Sequence, residues 1–138
     1  MQTSDIITDK ITYTQDEAIS ASLKYFNGDD LAARVWLNKY ALKDSLGNIY
    51  EKTPDDMHHR IAGEIARIES NYPNPMSEEM VYYLIKNFKY IIPQGSPMTG
   101  IGNPFQIASL SNCFVIGNSS KSDSYGGIMK IDQEQVQL

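Results

Sequence analysis

The strongest constraint on how this chain folds lies between residues 53 and 75. Thr53-Pro54-Asp55-Asp56 is a helix start: a capping hydroxyl, a proline at the first helical position, and acids facing the positive end of the helix dipole. Met57, Ile61, Ile65 and Ile68 then recur at i, i+4, i+8 and i+11, a single helical stripe. Tyr72-Pro73-Asn74-Pro75 stops the pattern, because two prolines cannot continue a ladder that needs backbone N–H groups. The spacing predicts an amphipathic helix from Pro54 to Asn71 whose stripe other apolar elements must cover.

The flanking sequence supplies such elements. Residues 1–12 have no clean period and read as a loose lead-in. Thr14-Gln15-Asp16-Glu17 is a capping box, with Ile19, Leu23 and Phe26 at helical spacing and Asn27-Gly28 as a left-handed stop. Asp29 caps a second helix with Leu31, Val35 and Trp36 as its apolar stripe and Tyr40 one turn on. Asp44-Ser45-Leu46-Gly47-Asn48 is turn chemistry, closing a small hairpin or an irregular loop. Ser77 caps a fourth helix carrying Met80, Leu84 and Phe88, with Val81 and Ile85 beside them.

The character changes after Lys89. Tyr90-Ile91-Ile92-Pro93 is short and extended, and Gln94 to Asn103 reads as a loop with three glycines and one proline. Leu110 to Ile116 reads as a strand, buried on both faces in its second half. Asn118 to Ser122 is a polar turn, and Ser122 or Asp123 caps a last helix through Ile128, Ile131 and Gln135. The fold class is therefore mainly α: a helical domain over 13–90, then over 91–138 the opening of an α/β unit whose partner strands are missing.

At 138 residues, 41% apolar and 21% charged, the chain suits one ordinary domain with a real core. A net charge of −5 excludes nucleic-acid binding through a general basic field. No apolar run approaches the roughly 20 residues of a membrane span, and the first residues lack a secretory signal. One cysteine rules out an internal disulfide framework and fits a reducing, cytoplasmic setting.

Few side chains suggest chemistry. His58 and His59 are adjacent, so on a helix they point about 100° apart, and no third ligand joins them. They read as solvated surface, and no metal is expected. Asp55, Asp56, Glu64 and Glu69 belong to caps and helix pairs, and Trp36, Tyr40 and Tyr25 to core. Cys113 is open to two readings. A lone cysteine on an apolar strand is ordinarily a small buried hydrophobe. Yet Ser109, Ser111 and Asn112 precede it, and Gly95-Ser96-Pro97 and Gly100-Ile101-Gly102 lie upstream. Such a glycine- and serine-rich approach can hold a phosphorylated substrate against a reactive sulfur. The spacing fits neither a dinucleotide turn nor a Walker loop.

Five segments carry a family resemblance: residues 25–36 (YFNGDDLAARVW), 38–41 (NKYA), 92–98 (IPQGSPM), 109–116 (SLSNCFVI) and 123–128 (DSYGGI). Together they resemble the N-terminal part of the ribonucleotide reductase large, catalytic chain, most closely the adenosylcobalamin-dependent class. The resemblance covers residue 13 to the end. It implies a helical N-terminal domain followed by a ten-stranded α/β barrel, truncated here, with Leu110–Ile116 as the first barrel strand.

The same resemblance implies reduction of a ribonucleotide at its 2′ carbon by thiyl-radical chemistry, with two further cysteines supplying electrons and closing a disulfide. Cys113 matches the first of that pair. Ser96, Met98, Asn112 and Cys113 match stretches that touch substrate, and Asp123, Ser124 and Tyr125 match the start of the deoxynucleotide-effector segment at a homodimer interface. Adenosylcobalamin would serve the complete enzyme without being bound by this part alone. The implied partners are the remaining barrel portion and a thioredoxin-like reductant. Many relatives carry threonine where Met98 stands, so a contact there falls to backbone or is lost. The radical cysteine, its asparagine and glutamate partners and the second reducing cysteine are missing, as is an ATP-cone regulatory domain. The chain alone is thus expected to be inert: a split-gene product, a truncated gene or a deliberately shortened piece. The nearest alternative is the same portion from a class with a separate radical-generating subunit. A different kind of alternative is a non-catalytic remnant that keeps a helical fold and binds a partner chain.

Overall fold

The computed structural model describes residues 11–116 and 123–137. It contains α1 (Gln15–Tyr25), α2 (Asp30–Lys39), α3 (Pro54–Glu69), α4 (Glu78–Ile85), a 3₁₀ turn (Lys86–Phe88), α5 (Gly95–Gly100) and α6 (Tyr125–Val136). α1 pairs with α2 and α3 with α4, and the 3₁₀ turn packs on both α3 and α4. None of these helices is long and apolar enough to cross a membrane.

The helix starts follow local hydrogen bonding. Thr14 and Glu17 form the reciprocal box at α1, and Asp29 accepts from Ala32 N at 2.9 Å to start α2. Thr53 and Asp56 make a second box at α3, and Ser77 accepts from Met80 N at 3.2 Å at α4. Asp44 gathers Leu46 N, Asn48 N and the Asn48 side chain, so residues 42–50 form a tight turn. Ile49 makes single antiparallel bridges to Tyr13 and Lys43.

One core joins both helix pairs: Ala18, Trp36, Leu37, Ala41, Ile49, Met57, Ile61, Ala62, Val81, Ile85 and Met98. The buried faces are rotated from those the sequence predicts. On α1 the small residues Ala18 and Ser22 are fully buried, and Ser22 Oγ donates to Lys52 O at 2.8 Å. On α2, Ala33, Trp36 and Leu37 turn inward while Leu31 stays 74% exposed. The small side chains of Ala18 and Ser22 let α1 approach its neighbours closely, while α2 contributes the bulk of Trp36 and Leu37. α3 keeps Met57 and Ile61 inside, but Ile65 is only partly covered and Ile68 is exposed, because α4 spans only eight residues and leaves the last turn of α3 open.

Four further expectations are corrected. His58 is not surface: it is fully buried, edge-on to Phe88 at 4.7 Å, and neither ring nitrogen has a hydrogen-bond partner. The fourth helix ends at Ile85 instead of running on to Phe88, since Asn87 and Phe88 adopt positive φ. The segment 94–103 is not all loop, because Gly95–Gly100 is helical; Pro97 sits in the first turn, where no N–H is required of it. Leu110–Ile116 forms no strand, and among the described residues there is none. A strand draws its stability from a neighbouring ladder, and no second strand is offered here; Val115 is 99% exposed. The lead-in over 1–10 and the turn 118–122, including Ser122, lie outside the described residues. Ser124 caps α6.

One buried ion pair secures α5 to this core. Arg60 of α3 donates through Nε to Glu51 Oε1 at 2.6 Å, and their side chains are only 9% and 5% exposed. The other Glu51 oxygen accepts from Leu42 N at 2.8 Å. Arg60 Nη2 donates to Met98 O at 2.9 Å, and Nη1 donates to Ile101 O. The guanidinium thus meets the open carbonyls at the C-terminal end of α5, where a cation also suits the helix dipole. Gly102 makes the approach possible: at φ +68°, a side-chain carbon there would lie 2.9 Å from Arg60 Cγ.

Two outcomes follow for stability. Arg60→Met strands the Glu51 carboxylate and should cost about 3–5 kcal/mol in urea denaturation. Arg34→Met, which removes the exposed pair with Asp30, should leave the urea midpoint essentially unchanged, because solvent screens that pair. Burial holds His58 below the usual imidazole range, with Asp55 raising and His59 lowering its pKa. The unfolded chain therefore takes the proton first, so stability held above about pH 6.5 drains as pH falls toward the depressed folded value, by at most about 1.4 kcal/mol per pH unit for one proton. His58→Leu should flatten that acid slope; an unchanged slope would show that His58 does not carry it.

Candidate functional site

The site is built around α5 and the chain that returns alongside it. Gly100 faces Leu110 and Ala108 at one end of the helix, and Gly95 faces Asn112 and the Tyr40 ring at the other. Segment 108–112 therefore runs back along α5 in the opposite direction. At the helix start, Gln94 does not cap with its own side chain. Asn112 does so instead, its Oδ1 accepting from Ser96 N at 2.7 Å. Asn112 Nδ2 donates to Gln94 Oε1 at 2.7 Å.

Ser96 and Asn112 are thus in direct contact, and Cys113, the next residue, is exposed. In this chain the thiol is therefore open to solvent. Met98 is 9% exposed and packs into the core, while its carbonyl is taken by Arg60. Thr99 folds back on its own helix, its hydroxyl donating to Gly95 O and Ser96 O, both at 3.2 Å.

Asp123, Ser124 and Tyr125 start α6. Ser124 Oγ accepts from Gly127 N at 3.1 Å, Asp123 is exposed, and Tyr125 is 77% exposed. α6 buries no residue, and the far end of the helix lines a cleft of about 410 Å³ with Phe114, Val115 and Ile116. A second, more apolar groove of about 520 Å³ lies between the last turns of α3 and residues 100–110. Among the described residues no three His, Cys, Asp or Glu side chains gather as a metal site. His59 stacks on Tyr82 at 4.0 Å between Asp55 and Glu78. Tyr82 donates to Asp55 Oδ1 at 2.6 Å, which pushes its phenol up to about 12.

Sequence reasoning passed over Glu51, Arg60 and Gln94. A signal existed for Arg60: it sits three residues after Met57 and beside Ile61, a charge placed against the best apolar stripe in the chain. Nothing local marks Glu51 or Gln94, whose roles depend on partners 9 and 18 residues away.

Comparison with known families agrees with this architecture. The family model for the ribonucleotide reductase all-alpha domain matches residues 26–100. That span runs from the end of α1 through α5, more than half of the chain, and includes Arg60, Ser96 and Met98. No curated protein and no solved structure matches the chain. With a matched helical domain and a fold mainly of helices, this chain belongs to the ribonucleotide reductase all-alpha domain family, the N-terminal region of the reductase large chain.

Proposed function

We propose that this chain supplies the amino-terminal part of a ribonucleotide reductase catalytic chain and that Cys113 is one of its two reducing thiols. The observation supporting this role is the hydrogen bond from Ser96 N to Asn112, which sets the start of α5 beside an exposed thiol. In the reaction a thiyl radical removes a ribose hydrogen, the C2′–OH bond breaks, and the oxygen leaves as water. Two thiols give up two electrons and two protons, a C2′–H bond forms, the sulfurs join as a disulfide, and the ribose takes back the hydrogen first removed, restoring the thiyl radical. The 138 residues hold one cysteine, so the second thiol and the radical-bearing one would belong to the remaining barrel portion of the reductase.

The start of α5 and Cys113 would face the ribonucleotide. Met98 would act as an anchor in the core, since its side chain and carbonyl are already occupied. Asp123, Ser124 and Tyr125 would begin a deoxynucleotide-effector element, and α6 would carry a homodimer contact. A thioredoxin-like protein would reopen the disulfide. The radical-generating class is read as adenosylcobalamin-dependent on overall similarity, and that group supplies the initiating radical when bound. These residues do not form its site: His58 is buried without access, and His59 lies between a tyrosine ring and two carboxylates.

The test is co-expression with a candidate carboxyl-terminal barrel portion, followed by assay of deoxyribonucleotide formation. Cys113→Ser should leave the melting temperature within about a degree, because the side chain is exposed and no buried hydroxyl is stranded. It should abolish multiple turnover, because serine cannot cycle through a disulfide. Near-normal turnover by the variant would remove the redox assignment.

A further inference from the structure

We propose that Asn112 is a positioning residue, with Gln94 as its partner, and that it fixes the start of α5 relative to Cys113 instead of meeting the ribonucleotide through its side chain. One backbone group sets the geometry. Ser96 N–H can only donate, so Asn112 must turn its oxygen toward it. This leaves the Asn112 NH₂ pointing at Gln94, which must then present its own oxygen. One N–H thus dictates the orientation of both carboxamides, and the Asn112 Oδ1 and Nδ2 atoms each have an internal partner at 2.7 Å.

The source of the cap gives it a wider effect. An ordinary N-cap bridges two or three residues and orders only its own helix. Here the capping side chain comes from 16 residues further along, so capping α5 also ties down the return segment. Gly95 lies against the Asn112 oxygen and Gly100 against Leu110 and Ala108, which keeps the two segments in register along the whole helix. The other end of α5 is held independently by Arg60. Cys113 follows the tie by one residue, about 3.8 Å along the chain, so little backbone freedom separates the thiol from the anchored Ser96.

The positioning role rests on the functional reading above, in which Ser96 and Cys113 face one ribonucleotide. The test therefore has two arms. In the first, hydrogen exchange of the Ser96 amide is measured by NMR on the chain itself. Asn112→Ala should speed exchange about tenfold or more, the loss of one capping bond. Asn112→Asp should stay close to the parent chain, because a carboxylate still accepts from Ser96 N and Gln94 can flip its amide to donate. Gln94→Ala should have an intermediate effect.

In the second arm, the chain reassembled with the barrel portion is assayed with a ribonucleoside diphosphate. Asn112→Ala should lower kcat with a smaller change in KM, and Asn112→Asp should recover most of the loss. If the aspartate variant is as impaired as the alanine variant while Ser96 stays protected, the amide contacts substrate directly and the proposal is overturned. Unchanged Ser96 exchange in Asn112→Ala also overturns it. A reassembled parent protein that makes no deoxyribonucleotide overturns the functional reading, and the exchange arm still judges the tie on its own.

Discussion

The placement of α5 depends on the buried ion pair between Glu51 and Arg60. A charge pair taken out of water gains little unless its remaining donors and acceptors are satisfied. Here they are: the Glu51 carboxylate also takes the Leu42 amide, and the Arg60 guanidinium also takes two carbonyls from the end of α5. An apolar pair of the same volume could fill the space, but it would not select which carbonyls dock there. The pair therefore specifies an orientation more than it adds stability. α5 is a six-residue helix, too short to persist alone, and it has few other contacts with the main helices.

From that anchor the site follows step by step. Arg60 holds one end of α5, Gly102 makes room for its side-chain stem, and Met98 turns into the common core. The opposite end is left to Asn112, which arrives with the return segment and brings Cys113 with it. The helical domain is thus a platform that presents a short glycine-containing helix and an exposed thiol together. Both features lie at the edge of the domain: α5 closes the span matched by the reductase all-alpha family, and the thiol follows beyond it.

Local signals made the helix starts legible in the sequence. Thr14, Asp29, Thr53 and Ser77 all cap where their side chains say they should, because capping involves only the next three residues. Buried faces were less legible. Ser22 and His58 are fully buried and Leu31 is not, and those outcomes depend on which neighbour arrives, which no periodicity records. The return segment is the clearest case. Leu110–Ile116 has strand composition, yet without a second strand it stays irregular, its first residues beside α5 and its last ones lining a cleft with the end of α6. Of the candidate site, Ser96, Asn112 and Cys113 stood out by their glycine- and serine-rich surroundings as well as by family resemblance, and the structure joins the first two by a hydrogen bond. Arg60 and Glu51 lie outside the resemblance segments, and Gln94 lies within one, but its role depends on a bond 18 residues along the chain.

The central claim is that α5 belongs to the core through Arg60. Native-state hydrogen exchange at the Ile101 amide, which donates to Pro97 O at the end of α5, tests it most directly. If the claim holds, Ile101 exchanges only through the same global opening as the buried turns of α3, with the same denaturant dependence. If Ile101 instead exchanges more than about a hundredfold faster, through a local opening insensitive to denaturant, α5 is merely resting on the domain and the account fails.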